Sequence, residues 1–189
     1  MAKKKKRGCL PRILIFFIII VVAIFGWRMF HEYQYPLKYE AYIYQYSAEN
    51  EVDPYLVMGM IRTESNFIQD AVSHQNAKGL MQIMDDTAYW IANKMGIENF
   101  TINDLNDPET NIKMGTWYIS WLLDKFNQNE KTALAAYNGG MGNVNKWLSD
   151  DRYSADGKNL VYIPYKETSK YVEKVLRYQA NYEKIYKEK

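Results

Sequence analysis

Residues 53–67 read DPYLVMGMIRTESNF, and the reading of this stretch decides the fold. Asp53 followed by Pro54 is a helix start: the Asp side chain can accept from the first free N–H groups, and proline fits the first helical position, where its missing donor costs nothing. Leu56, Val57, Met60 and Ile61 then recur at helical spacing. Glu64 lies seven residues after Val57, four after Met60 and three after Ile61, so it shares their face. The stripe is apolar and ends in a carboxyl. A carboxyl held there loses hydration, its charged form is disfavoured and its pKa rises. Such a group, protonated near neutral pH, can donate a proton to a leaving oxygen.

Outward from this helix the chain reads as further helices with short breaks. Pro36 is expected to open one that runs through Tyr46. Asp85 or Asp86 can cap a helix carrying Ala88, Ile91, Ala92 and Met95 and ended by Gly96. Asp107-Pro108 repeats the cap-plus-proline signal, with Ile112, Gly115, Ile119 and Leu122 following on one face. Asn129 can cap a helix ending at Gly139-Gly140. Val144, Trp147 and Leu148 suggest another turn or two, and a last helix is expected over 165–186 with Val172, Val175, Leu176 and Gln179 on one stripe. Strand signals are confined to 153–162, where Asp156-Gly157 suits a tight turn, so a small hairpin or an ordered loop is expected. The organisation expected is a basic tail over 1–12, an apolar anchor over 13–30 and one mainly α domain over 36–187.

The 189 residues carry 24 Lys and Arg against 22 Asp and Glu, a net charge of +2. The first twelve residues hold six of the basic groups and no acid, which leaves 18 basic against 22 acidic in the remainder. The acidic body lacks the basic face that phosphate backbones require, so nucleic acid is not an expected partner. The single cysteine, Cys9, permits no internal disulfide, and it precedes the apolar stretch, unlike a lipoprotein cysteine. Residues 13–27, ILIFFIIIVVAIFGW, carry no charge. Leu10, Pro11, Met29 and Phe30 extend the run, and Arg12 and Arg28 can snorkel toward head groups. Ala23 is followed by Ile24, Phe25, Gly26 and Trp27, a poor site for signal cleavage, so the reading is an uncleaved single-pass membrane anchor. The basic cluster before it places the N-terminus in the cytoplasm and the body on the outer face. The two histidines, His31 and His74, show no metal-ligand spacing, and neither a metal nor a cofactor is expected.

Four blocks stand in order: Glu64-Ser65-Asn66-Phe67 with Ser73; Gly79-Leu80-Met81-Gln82-Ile83-Met84; Ala135-Ala136-Tyr137-Asn138-Gly139-Gly140; and Ile163-Pro164-Tyr165-Lys166-Glu167-Thr168 with Tyr171-Val172. Together they resemble the soluble lytic transglycosylase family, whose catalytic domain is lysozyme-like and related to goose-type lysozyme. The resemblance spans about residues 39 to 182. It implies a lysozyme-like helical domain acting on peptidoglycan glycan strands in a bacterial envelope, with Glu64 as catalytic acid and base. It implies Ser73 lining the groove near the sugar's acetamido group, Met81 as an apolar groove residue and Gln82 as a hydrogen-bonding amide. Tyr137 and Asn138 match the pair that faces the catalytic centre, and Glu167 and Tyr171 match residues that help position the sugar. The chain departs from the family pattern at Asn76, where a glycine is usual, at Asp85, where a proline is common, and at Gly139, where an alanine is common. The expected reaction is cleavage of the N-acetylmuramic acid–N-acetylglucosamine β-1,4 bond with formation of a 1,6-anhydro end. A hydrolytic muramidase and a non-catalytic wall-binding protein stay open at this point, and partnership with a cell-wall or secretion machinery is compatible with either activity.

Overall fold

The computed structural model describes residues 10–187, so most of the expected basic tail, Cys9 included, lies outside the described residues. The chain falls into two units, divided between Leu37 and Lys38. The first is α1, Leu10–Gln34. Its segment Ile13–His31 is long and apolar enough to cross a membrane, and none of it is buried within the protein.

The second unit is helical, and among the described residues no strand forms. Its helices are α2 (Glu40–Glu49), α3 (Pro54–Glu64), α4 (Asp85–Met95), α5 (Pro108–Lys125), α6 (Glu130–Gly139), α7 (Met141–Leu148) and α8 (Lys166–Tyr186), with a short 3-10 helix at Ile102–Asn106. The Asp-Pro starts behave as their chemistry dictates. Asp53 accepts from the Tyr55 N–H at 2.9 Å, Asp107 accepts from Thr110 at 2.8 Å, and Asn129 accepts from Thr132 at 2.9 Å. Each satisfies a donor that the first helical turn leaves over.

Helix α3 is buried on more than one face: Leu56, Val57, Met58, Gly59, Met60 and Ile61 are all buried. A helix apolar all round belongs in the middle of a core, and α3 packs against α2 and α8 there. At Gly59 the backbones of α3 and α8 nearly touch; a Cβ would lie 2.8 Å from the Val175 carbonyl oxygen and 3.0 Å from the Gln179 nitrogen. Gln179 locks the crossing, donating to Asp53 at 2.8 Å and to Glu130 of α6 at 3.2 Å.

Two local expectations are corrected, and a choice left open between two forms is decided. Pro36 does not open α2, which starts at Glu40 because Tyr39 takes a left-handed conformation, φ 59°, that no helix can continue through. Neither Asp85 nor Asp86 caps α4; Met84 holds the cap position, and Asp85 instead pairs with Lys78 at 2.5 Å and accepts from Asn76 at 3.0 Å. Residues 153–162, expected as a hairpin or an ordered loop, take the second form. The Asp156 carboxylate accepts from the N–H groups of Lys158 and Asn159 at 2.8 and 2.7 Å, folding the segment into an ordered loop closed by Val161 N–H to Tyr153 O at 2.8 Å.

Candidate active site

Glu64 is the last residue of α3, with Ser65 at the cap. It opens onto a cleft with two lobes. The larger, about 640 Å³, is lined by Arg62, Thr63, Asn66, Val72, Ser73, Lys174 and Tyr178 among others. The smaller, about 310 Å³, is lined by Gln75, Ala77, Met84, Tyr137, Asn138 and Glu167 among others. Glu64, Ser73, His74 and Gln82 line both, so the carboxyl stands where the lobes meet.

Burial raises the Glu64 carboxyl from 4.5 to about 7, against weaker lowering influences from the Tyr171 hydroxyl and the Lys174 ammonium. Its place at a helix C-terminus acts in the same direction as burial, since the helix dipole is negative there. The Tyr171 hydroxyl is buried and meets full hydrogen-bond geometry with no partner among the described residues. It acts on the Glu64 carboxyl as a loosely aligned donor, and that carboxyl in turn raises the Tyr171 phenol well above its ordinary value, after burial itself. Tyr137 is raised likewise by burial and by Glu64. Its hydroxyl donates to the Met81 carbonyl at 2.9 Å, which fixes the ring beside the acid. Both phenols stay neutral, so neither competes with Glu64 for the proton-transfer role.

The loop between α3 and α4 forms the wall opposite. The Ser73 hydroxyl accepts from the N–H groups of Gln75 at 3.2 Å and Ala77 at 3.0 Å, so it shapes a turn and still has its own proton to donate. Gln82, at φ 47°, spends its amide protons on the carbonyls of Ala71 (2.9 Å) and Gly79 (2.8 Å), which leaves its Oε1 as an acceptor. Asn76 sits at φ 66°, which explains the departure from glycine: Asn is the side chain that best tolerates a left-handed backbone. At Gly139 a Cβ would stand 3.0 Å from Thr168 Oγ1, so an alanine would need a small adjustment there.

The expected site residues do not all reach the cleft. Ser73, Gln82, Tyr137, Asn138 and Glu167 line it with Glu64. Tyr171 lies beneath it, buried under the carboxyl. Met81 does not line it: its side chain is fully buried against Gly115 of α5, where a Cβ would collide with its sulfur. Met81 contributes its backbone carbonyl to Tyr137, not an apolar wall. Sequence reading missed Asn111, a buried clamp on α5. Its Oδ1 accepts from the Met81 N–H at 2.8 Å, and its Nδ2 donates to the carbonyls of Lys78 (3.0 Å) and Leu105 (2.9 Å). It also missed Arg62, Lys174 and Tyr178. The signal for the last two was periodicity, since they follow Tyr171 by three and seven residues on α8.

Among the described residues, Glu64 and Glu167 are the only carboxylates on the cleft walls. Glu167 is solvent-exposed on the first turn of α8, whereas the Glu64 carboxyl is raised by burial to about 7, the range in which a carboxyl can both give and take a proton near neutral pH.

Residues 41–161 match the family described as the transglycosylase SLT domain. The soluble lytic murein transglycosylase of Escherichia coli K12 is 36% identical over 153 residues, covering 80% of this chain and 24% of that protein. The membrane-bound lytic murein transglycosylase C of Salmonella arizonae is 34% identical over 129 residues, covering 62% of this chain and 35% of that protein. Among solved structures, the 70-kDa soluble lytic transglycosylase in complex with bulgecin A superposes with a TM-score of 0.74 at 32% identity, over 82% of this chain and 25% of that one. An inactive glutamate-to-glutamine mutant of lytic transglycosylase Slt from Pseudomonas aeruginosa gives 0.71 at 33% identity, over 79% of this chain and 24% of that one. The chain spans about a quarter of the length of the soluble relatives it matches.

Proposed function

The chain belongs to the transglycosylase SLT domain family, and on that premise we propose that it is a membrane-anchored lytic transglycosylase of the bacterial cell wall. The observation that carries this reading is one dry carboxyl, raised to about 7, at the junction of a two-lobed cleft. A two-carboxylate glycosidase would need a second acid facing Glu64 across the bond, and the other cleft carboxylate, Glu167, is exposed on the first turn of α8. A nucleophile supplied by the substrate meets that lack.

In this mechanism Glu64 enters protonated and gives its proton to the oxygen joining N-acetylmuramic acid to N-acetylglucosamine. The C1–O bond breaks, and the sugar's own 2-acetamido oxygen stabilises the positive charge at the anomeric carbon. Glu64, now a carboxylate, takes the proton from the C6 hydroxyl, and that oxygen closes onto C1 as a 1,6-anhydro ring. The acid is restored and no water is consumed. Tyr171 and Lys174 ease the ionised stage of the cycle, the same influences that lower the carboxyl's pKa. Ser73, Gln82 and Asn138 offer hydroxyl and amide groups to the acetamido and hydroxyl groups of the strand, and Tyr137 holds the wall beside the acid. The apolar helix α1 serves as the anchor, with the body on the outer face of the membrane.

The test is mass spectrometry of purified peptidoglycan incubated with the full chain in detergent. Anhydro ends are expected, and none from Glu64→Gln. Reducing ends would make the protein a hydrolase, no cleavage a wall-binding protein, and full turnover by Glu64→Gln would remove that residue from the mechanism.

A further inference from the structure

The two lobes differ in charge. The larger lobe carries two cations, Arg62 and Lys174, against Glu64 as its one acid. The smaller carries Glu64 and Glu167 and no lysine or arginine. Arg62 comes from α3 and Lys174 from α8, and both converge on the Tyr178 ring, the guanidinium carbon 5.5 Å and the ammonium 5.9 Å from its centroid.

Among the described residues the Arg62 charge meets the Tyr178 ring and is matched by no carboxylate in an ion pair. Arg62 stands two residues before Glu64, a spacing that points side chains apart on a helix, and the influences on the Glu64 carboxyl are burial, Tyr171 and Lys174, not Arg62. Its Nε is buried with no hydrogen-bond partner among the described residues. An enclosed guanidinium donor without an acceptor is unfavourable unless something supplies one, and the planar fork matches a carboxylate. A neutral sugar does not call for paired cations. The peptide stem that branches from N-acetylmuramic acid carries free carboxylates.

We propose that the larger lobe is a subsite for a carboxylate of that peptide stem, held by Arg62 with Lys174 beside the Tyr178 ring. The subsite makes the enzyme selective for strands that bear charged stems and sets which side of Glu64 the stem lies on. This rests on the glycan-cleaving reading above.

The test compares two strand preparations, one with free stem carboxylates and one with those groups converted to carboxamides of nearly the same shape. For the full chain in detergent, kcat/KM should favour the carboxylate strands by about tenfold, the order of one charge-assisted contact. The preference should shrink in high salt. Arg62→Gln should bring the ratio of the two kcat/KM values to within about twofold, while Arg62→Lys should keep part of it. Equal rates of the unmutated enzyme on both strands would overturn the subsite, as would a ratio unchanged in Arg62→Gln. The comparison on the unmutated enzyme stands even where the variant fails to fold. Should neither strand be cleaved, it is the catalytic reading that fails. The subsite is then decided by calorimetric binding of the two strands to Glu64→Gln: a preference for carboxylates supports it, and equal binding overturns it.

Discussion

Replacing Glu64 by Gln should make the fold more stable, by an amount that depends on pH. The folded protein holds the Glu64 proton up to about 7, whereas an unfolded chain releases it near 4.5. At ~1.36 kcal/mol per pH unit, ionising the carboxyl in its native site costs about 3 kcal/mol. The folded state binds the proton more tightly, so the favourable contribution of the protonated acid is complete below 4.5 and is lost as pH rises through about 7. Glutamine is neutral throughout and escapes that loss. The two proteins should therefore unfold alike near pH 4, diverge between 4.5 and 7, and differ by about 3 kcal/mol at pH 8.5, or roughly 6–12 °C in Tm for a body of this size. Circular-dichroism melts of both proteins in the same detergent, from pH 4 to 8.5, measure this. A gain that is constant across the range, or absent at pH 8.5, would show that the carboxyl is not held dry in the native state and would refute the basis of its role as an acid.

Two further outcomes follow from the same site. Asn111→Ala removes three hydrogen bonds, two of them fully buried, and strands the Met81 N–H, which should cost about 3–5 kcal/mol in thermal or urea unfolding; a loss under about 1 kcal/mol would mean the loop is held by other contacts. Tyr171→Phe removes an influence that lowers the Glu64 carboxyl, so the alkaline limb of the pH–kcat/KM profile should move upward from about 7; a limb that stays put or moves down would assign Tyr171 a packing role alone.

What could be read from the sequence was what short-range chemistry decides. The starts of α3, α5 and α6 were legible because an Asp or Asn cap acts within three residues of itself. So was the dry face ending in Glu64, since helical periodicity carries it. The start of α2 was not, because it depends on one left-handed tyrosine, Tyr39, that no local pattern announces. Met81 was misjudged for a related reason. In the turn over 79–84 the direction of each side chain follows from the left-handed Gln82 and from the Asn111 clamp, which reaches in from a helix some thirty residues away. Arg62 and Lys174 were overlooked as a pair because they meet only once α3 crosses α8.

That crossing also orders events in time. The family match ends at residue 161, yet the helix that begins five residues later brings Tyr171 and Lys174 to the acid. A chain still emerging from the ribosome or translocase exposes Glu64 about a hundred residues before it makes Tyr171, and closing so long a loop is among the slower steps of folding. Burial is what raises the Glu64 carboxyl, and α8 is one of the helices that enclose it, so a chain in which α8 has not yet seated against Gly59 should hold that proton less tightly. On the function proposed above, competence to cut would then follow the docking of the last helix and could not precede it.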